Sequence, residues 1–267
     1  MCKSVPGLYI FGDSLVDVGN NNYIRTLARA NYPRYGIDFP IGPTGRFCNG
    51  KNVADLLAKK VGLPSAPPYM SLVSDSKNLN STNATITGVS FASGGSGVFT
   101  GPEALDNSTI SLPKQVDYYS MIHDQLVQQF GSNRTQTHLA KSLFLIVVGS
   151  NDLFSYFKKD SKLPDQYTVQ QYVDRMVYTL KGLLKQMYWL GARKFVVSGV
   201  GVIGCCPAQR KLSNISECNL EANYGATKYN DGLEILLNDL KLEYPDMHYS
   251  YFHTYNVMSG LIEHPET

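Results

Sequence analysis

Short apolar runs recur along the chain at 8–11, 89–92, 143–148, 194–198 and 248–252, each closed by small or polar residues. Runs of four to eight apolar residues bounded by turn formers read as buried strands. Longer stretches of helical period lie between them. Val53, Leu56, Leu57 and Val61 form one stripe, with Gly62 placed to end the helix. A second helix begins at Thr168, whose side chain can cap it while Gln171 completes a capping-box pattern. Its apolar face runs from Val169 to Met187, and Gly191 follows. A third carries Leu233, Leu236, Leu237 and Leu240, and stops near Pro245. The stretch 64–87, rich in Ser and Asn, reads as a surface loop. Such alternation predicts a parallel sheet of five strands covered by helices, with functional loops at the carboxyl ends of the strands.

Composition narrows the possibilities. The 267 residues, 43% of them hydrophobic, suffice for one large core, and residues 1–267 are read as a single domain. With 17% charged residues and a formal net charge of +2, the chain lacks the basic bias of a nucleic-acid binder. The longest unbroken apolar stretch, 143–148, is far too short for a membrane span. The first residues run straight into the first strand and leave no room for a signal peptide, so the chain is either cytosolic or missing its start. Sequons at Asn80, Asn83, Asn107, Asn133 and Asn214, all in polar stretches, favour secretion with the start missing. Cysteines stand at 2, 48, 205, 206 and 218; Cys205 and Cys218 are expected to pair, with Cys206 the competing partner and Cys48 reduced.

Three strand ends carry chemistry. The first leads into Gly12-Asp13-Ser14-Leu15, where a serine just past the strand can face the crevice above the sheet. Serine is a weak nucleophile unless a base activates it, and the bland alternative is an ordinary turn with Ser14 or Asp13 capping a helix. A later strand leads into Gly149-Ser150-Asn151-Asp152, whose Asn side chain can donate to a developing oxyanion. The 89–92 run leads into Ser93-Gly94-Gly95-Ser96-Gly97, where backbone N–H groups can approach a ligand closely.

Together these segments resemble the plant-type GDSL esterases and lipases of the SGNH hydrolase superfamily. The resemblance rests on Gly12-Asp13-Ser14-Leu15-Val16-Asp17-Val18-Gly19-Asn20-Asn21-Asn22, then Pro43-Thr44-Gly45-Arg46-Phe47 with Asn49-Gly50, Phe91-Ala92-Ser93-Gly94-Gly95, and Gly149-Ser150-Asn151-Asp152. It continues in Gly199-Val200-Gly201-Val202-Ile203-Gly204-Cys205, with Val202 where the family usually has Pro. It covers nearly the whole chain in order. It implies a three-layer α/β/α sandwich of flavodoxin-like type and hydrolysis of carboxylic esters, of lipids or other small acyl compounds, without cofactor or metal. Ser14 is then the nucleophile and Asn151 an oxyanion donor, the second donor being the backbone N–H of Gly95, with Gly94 as the register alternative.

One block is missing from this match. The family draws its acid–base pair from a late Asp-x-x-His. The residues three before His123, His138, His248, His253 and His264 are Ser120, Thr135, Pro245, Ser250 and Leu261. The chain therefore reads as truncated, a poor catalyst and a marginal fold, and the rival is a non-catalytic secreted binding glycoprotein or an inert fragment. Of the histidines only His253 ends a strand near the presumed rim. Gly199-x-Gly201-x-x-Gly204 matches a dinucleotide fingerprint literally, but Cys205-Cys206-Pro207 follows where that fold opens a helix.

Overall fold

The computed structural model describes residues 5–74, 82–212 and 217–266. Four parallel strands form one sheet in the order β1 (Leu8–Gly12), β2 (Leu143–Val147), β3 (Lys194–Ser198), β4 (His248–Phe252). Their register aligns Gly12, Val147, Ser198 and Phe252, so all four carboxyl ends meet at one rim.

Five strands were expected, and 89–92 is the one that differs. The segment runs parallel beside β1, with Ile10 N bonded to Val89 O, Phe91 N to Ile10 O and Ser93 N to Gly12 O. It pairs as an isolated bridge at Ser90 rather than as a strand. Its outer edge is bonded to the chain at Pro67–Tyr69, through Ser90 N to Pro67 O and Tyr69 N to Ser90 O, and not to a further strand. The expected loop at 64–87 also differs: its described residues include two short helices, α2 (Tyr69–Ser74) and α3 (Thr82–Thr87).

Side chains alternate across the sheet. Tyr9, Phe11, Phe144, Ile146, Phe195 and Val197 enter a large core with the long helices α4 (Leu112–Phe130), α7 (Val169–Trp189) and α9 (Leu220–Glu243). Leu8, Ile10, Leu145 and Val147 face the other way, against α1 (Val53–Lys60). Helices thus cover both faces. The Thr168–Gln171 capping box is present at the start of α7, and Asn219 caps α9. The helices α5 (Ser132–Lys141), α6 (Ser150–Phe157), α8 (Pro207–Arg210) and α10 (Thr254–Glu263) complete the described α-helices. Among the described residues the Gly199–Gly204 stretch runs into a single 3-10 turn (Ile203–Cys205) and the four-residue α8 before α9, so no long helix opens at Gly204 to receive a pyrophosphate.

Cys205 and Cys218 are disulfide-bonded, with Cα atoms 4.3 Å apart, while Cys48 and Cys206 are free. Cys2 lies outside the described residues. The bond closes a loop of 13 residues' separation. Removing it with paired Cys205→Ser and Cys218→Ser changes should cost about 2–4 kcal/mol. Urea denaturation measures this, and an unchanged midpoint would mean that the bond constrains nothing in the unfolded chain.

Candidate active site

Gly12 ends β1 at φ +143°, and a Cβ there would run into the carbonyl of Val147. Only glycine allows the chain to leave the sheet this way. Asp13 N then bonds Val147 O, and Val16 N and Asp17 N bond Asp13 O, closing a tight turn on which Ser14 stands half-buried. No described residue hydrogen-bonds the Ser14 hydroxyl. On the neighbouring strand Gly149 repeats the device at φ +120°, closely packed against the ring of Tyr229, and starts α6 with Asn151 in its first turn. Asn151 Nδ2 donates to Ser96 O at 2.8 Å. An amide carries two N–H donors, so this bond leaves one.

The glycine loop follows the 89–92 segment on the other side of β1 from β2 and reaches across the rim to α6 at Ser96 O. Gly94 N donates to Asp17 Oδ2 at 2.9 Å, and a Cβ on Gly94 would strike the ring of Phe47. Gly95 N has no acceptor among the described residues. Of the two glycines considered as donors, Gly94 is thus committed and Gly95 is not. The loop is tied down by buried asparagines: Asn20 Nδ2 donates to Ser90 O and Ala92 O, and Asn21 Nδ2 to Gly94 O.

Three buried carboxylates brace the rim. Asp17 accepts from the N–H groups of Gly19, Asn20 and Gly94, Asp152 from those of Val98 and Phe99, and Asp13 from that of Leu15. Burial pushes Asp13 and Asp152 up to about 7 and Asp17 to about 6, against the opposing pull of these N–H bonds. Asp152 and Asp17 add like-charge repulsion at Asp13. A carboxyl whose pKa is raised on folding stabilises the fold most below its unfolded value, near 4, and loses that contribution as pH climbs through 6 to 7. His138, held low by burial, acts in the opposite sense below its ordinary value, so a difference between variants is the cleaner measurement. Asp13→Asn keeps an acceptor for Leu15 N and removes one buried charge. It should gain on the order of a few kcal/mol over the parent at pH 8 and nothing at pH 4, read from urea midpoints. An equal offset at both pH values would refute the raised pKa.

None of the histidines joins this constellation. His253 follows β4, three strand spacings or about 14 Å from the end of β1. It is half-exposed, with Nδ1 3.6 Å from Glu234 Oε1. His138 Nε2 contacts Tyr9 OH and Ser142 Oγ, close to Gly7 at the amino end of the sheet. His123 pairs with Asp124 on α4, His248 opens β4 beside Lys241, and His264 pairs with Glu266. His253 thus has Glu234 as its partner, and no described bond to Ser14.

Gln115 and the bracing roles of Asp13, Asp17 and Asp152 were not anticipated from the sequence. Gln115 occupies a core position in the stripe Leu112, Gln115, Val116, Tyr119, Ile122, Leu126. A polar residue inside an apolar stripe of helical spacing was the available signal.

Fold and rim define a parallel α/β protein with a serine just past its first strand, flanked by an amide and a glycine loop. Residues 8–266 match the GDSL-like lipase/acylhydrolase family. The chain is similar to three Arabidopsis thaliana proteins. It is 47% identical to GDSL esterase/lipase At5g55050 over 98% of this chain and 70% of that protein. Identity is 37% to GDSL esterase/lipase At3g50400, over 97% and 71%, and 35% to GDSL esterase/lipase 7, over 97% and 71%. The chain belongs to the GDSL-like lipase/acylhydrolase family.

Proposed function

We propose that this chain acts on carboxylic esters, of lipids or other small acyl compounds, through an acyl-enzyme at Ser14. The observation that supports the reading is the rim itself: Ser14 and Asn151 follow adjacent strand ends, Asn151 Nδ2 bonds the glycine loop at Ser96 O with one N–H to spare, and no described residue bonds the Ser14 hydroxyl or Gly95 N. Attack by Ser14 Oγ on the ester carbonyl puts negative charge on its oxygen. Gly95 N–H and Asn151 Nδ2–H are the donors assigned to receive that charge; the Ser14 proton passes to water, and collapse breaks the ester C–O bond and expels the alkoxide, which takes up a proton from water. Two neutral donors and no metal suffice for this step.

Proton removal from Ser14 sets the rate. None of the five histidines lies beside it, so turnover by this chain is expected to be slow. That placement also favours the second reading, a non-catalytic binding glycoprotein on the same fold. Residues 1–267 are taken as one domain of this kind, supported by a single described sheet and a family match from 8 to 266. Secretion is supported by the Cys205–Cys218 bond, of a kind that persists in oxidising compartments, and by exposed sequon residues Asn107 and Asn133. Asn80 and Asn214 lie outside the described residues. Among the described residues no helix is long and apolar enough to cross a membrane.

The test is covalent. Incubated with p-nitrophenyl acetate, the chain should take up one acetyl group, mapped by peptide mass to the fragment holding Ser14. A protein that stays unacetylated while remaining folded would select the binding reading instead.

A further inference from the structure

Gln115 lies wholly buried on α4, 103 residues away in sequence from the turn it touches. Its Oε1 accepts from Gly12 N at 2.8 Å, and its Nε2 donates back to Gly12 O at 2.9 Å. The side-chain amide thus pairs with the main chain of Gly12 at two points, as a neighbouring strand would, where β1 ends and Ser14 is two residues on. Nε2 also reaches Ser96 Oγ at 2.9 Å and Ile110 O at 2.8 Å, so its two N–H groups are shared among three acceptors. Ser96 O in turn accepts from Asn151 Nδ2. A continuous buried path, Gly12–Gln115–Ser96–Asn151, links the serine turn to the glycine loop and to the amide of α6.

We propose that Gln115 is a positioning residue for ester cleavage at Ser14, holding the serine turn in register with the donors at Gly95 and Asn151. The inference rests on the hydrolase reading above. Gly12 has no side chain and an unusual φ, so only its main-chain bonds hold it. Ser93 N shares Gly12 O and Asp13 N bonds Val147 O, but Gln115 alone grips the peptides on both sides of Gly12, at its N–H and at its carbonyl. Ser14 follows these peptides directly, and a displacement of about 1 Å between nucleophile and donors can cost about 10²-fold in rate. The side chain touches no substrate; its effect passes through Gly12 and Ser96.

Two variants test this. Gln115→Met keeps the volume and removes every bond. Gln115→Glu keeps the acceptor for Gly12 N, loses both N–H donors while ionised, and regains one donor when its buried carboxyl is protonated. Acylation of Ser14 by p-nitrophenyl acetate is followed at saturation, with active serines counted by a fluorophosphonate and folding by urea melts. The expected result for Gln115→Met is a saturating rate per labelled serine about 10²-fold lower, with the half-saturating ester concentration within about threefold of the parent. For Gln115→Glu, the ratio of its rate to the parent's should climb as pH falls from 8 to 5. The proposal is overturned if the folded Gln115→Met protein keeps its rate per labelled serine within threefold. It is equally overturned if both variants lose labelled serines while each remaining one works at full speed, since that is a purely structural role. Should Gln115→Met not fold, Gln115→Glu decides through its pH profile, and a flat ratio rejects the role. A parent protein that acylates no faster than Ser14→Ala rejects the hydrolase reading itself, a separate result.

Discussion

With Ser14 replaced by Ala, the chain should form no acyl adduct and lose every part of its ester turnover that passes through one. The fold should not notice. Ser14 is half-buried and its hydroxyl has no described partner, so the change removes no internal hydrogen bond and stability should stay within about 0.5 kcal/mol of the parent. What survives is whatever the donors and substrate binding achieve unaided, a residue of about 10³–10⁴ over water in enzymes stripped of a nucleophile. The parent should exceed its Ser14→Ala variant on a short activated ester by at least about tenfold, even with slow proton removal. Asn151→Ala, tested beside it, should lower the saturating rate by about 10²–10³ while the adduct still forms on Ser14. That contrast separates the two roles. A Ser14→Ala protein as fast as its parent would place the nucleophile elsewhere or make the rim a binding surface.

How much of this was legible in the sequence depended on the range of the interactions involved. The strands at 143–148, 194–198 and 248–252 and the capped helix from Thr168 are encoded locally, by apolar runs and by a cap three residues from its partner. They lie where the pattern placed them. The run at 89–92 has the composition of a strand, but whether it becomes one depends on its neighbours. Between β1 and the Pro67–Tyr69 segment it forms only a bridge. Helix α5 was missed because Ser132–Lys141 is nearly all polar and shows no apolar stripe. Helix α4 was missed although its stripe is regular, because Pro113 and the buried Gln115 interrupt it early. Ser14 and Asn151 were visible because each sits within a few residues of a readable strand. The bracing of the rim was not, since Gln115 reaches Gly12 across 103 residues and Asp17 reaches Gly94 across 77. Only the fold brings such pairs together.

Replacing Arg46 by Met should produce the largest loss of stability of any single change considered, about 3–5 kcal/mol. Arg46 meets Asp55 through two parallel bonds, Nε to Oδ2 at 2.6 Å and Nη2 to Oδ1 at 2.7 Å, and both side chains are almost fully buried. Its third nitrogen donates to Val18 O and Thr44 Oγ1, anchoring the segment that follows the serine turn. Asp55 has a second task as the N3 residue of the α1 capping box, where its carboxylate accepts from Asn52 N. Burial alone would raise its pKa, but the bonds from Arg46, Ser65 and Asn52 outweigh that and hold the carboxyl below its ordinary value. Removing the guanidinium leaves a buried charge held only by the Ser65 side chain and Asn52 N. The carboxyl must then protonate or draw water into the core beneath Val16 and Ala54, and either response costs free energy. The loss should therefore be greatest at neutral pH and shrink in acid, as the orphaned carboxyl takes up a proton. Pairing Arg46→Met with Asp55→Leu removes the stranded charge and should recover most of the deficit. About 1 kcal/mol should remain for the lost cap. Urea melts of the single and double variants at pH 5 and pH 8 test all of this. A single variant within about 1 kcal/mol of the parent at pH 8 would show that solvent reaches Asp55 and that the pair is not the buried tie its geometry implies.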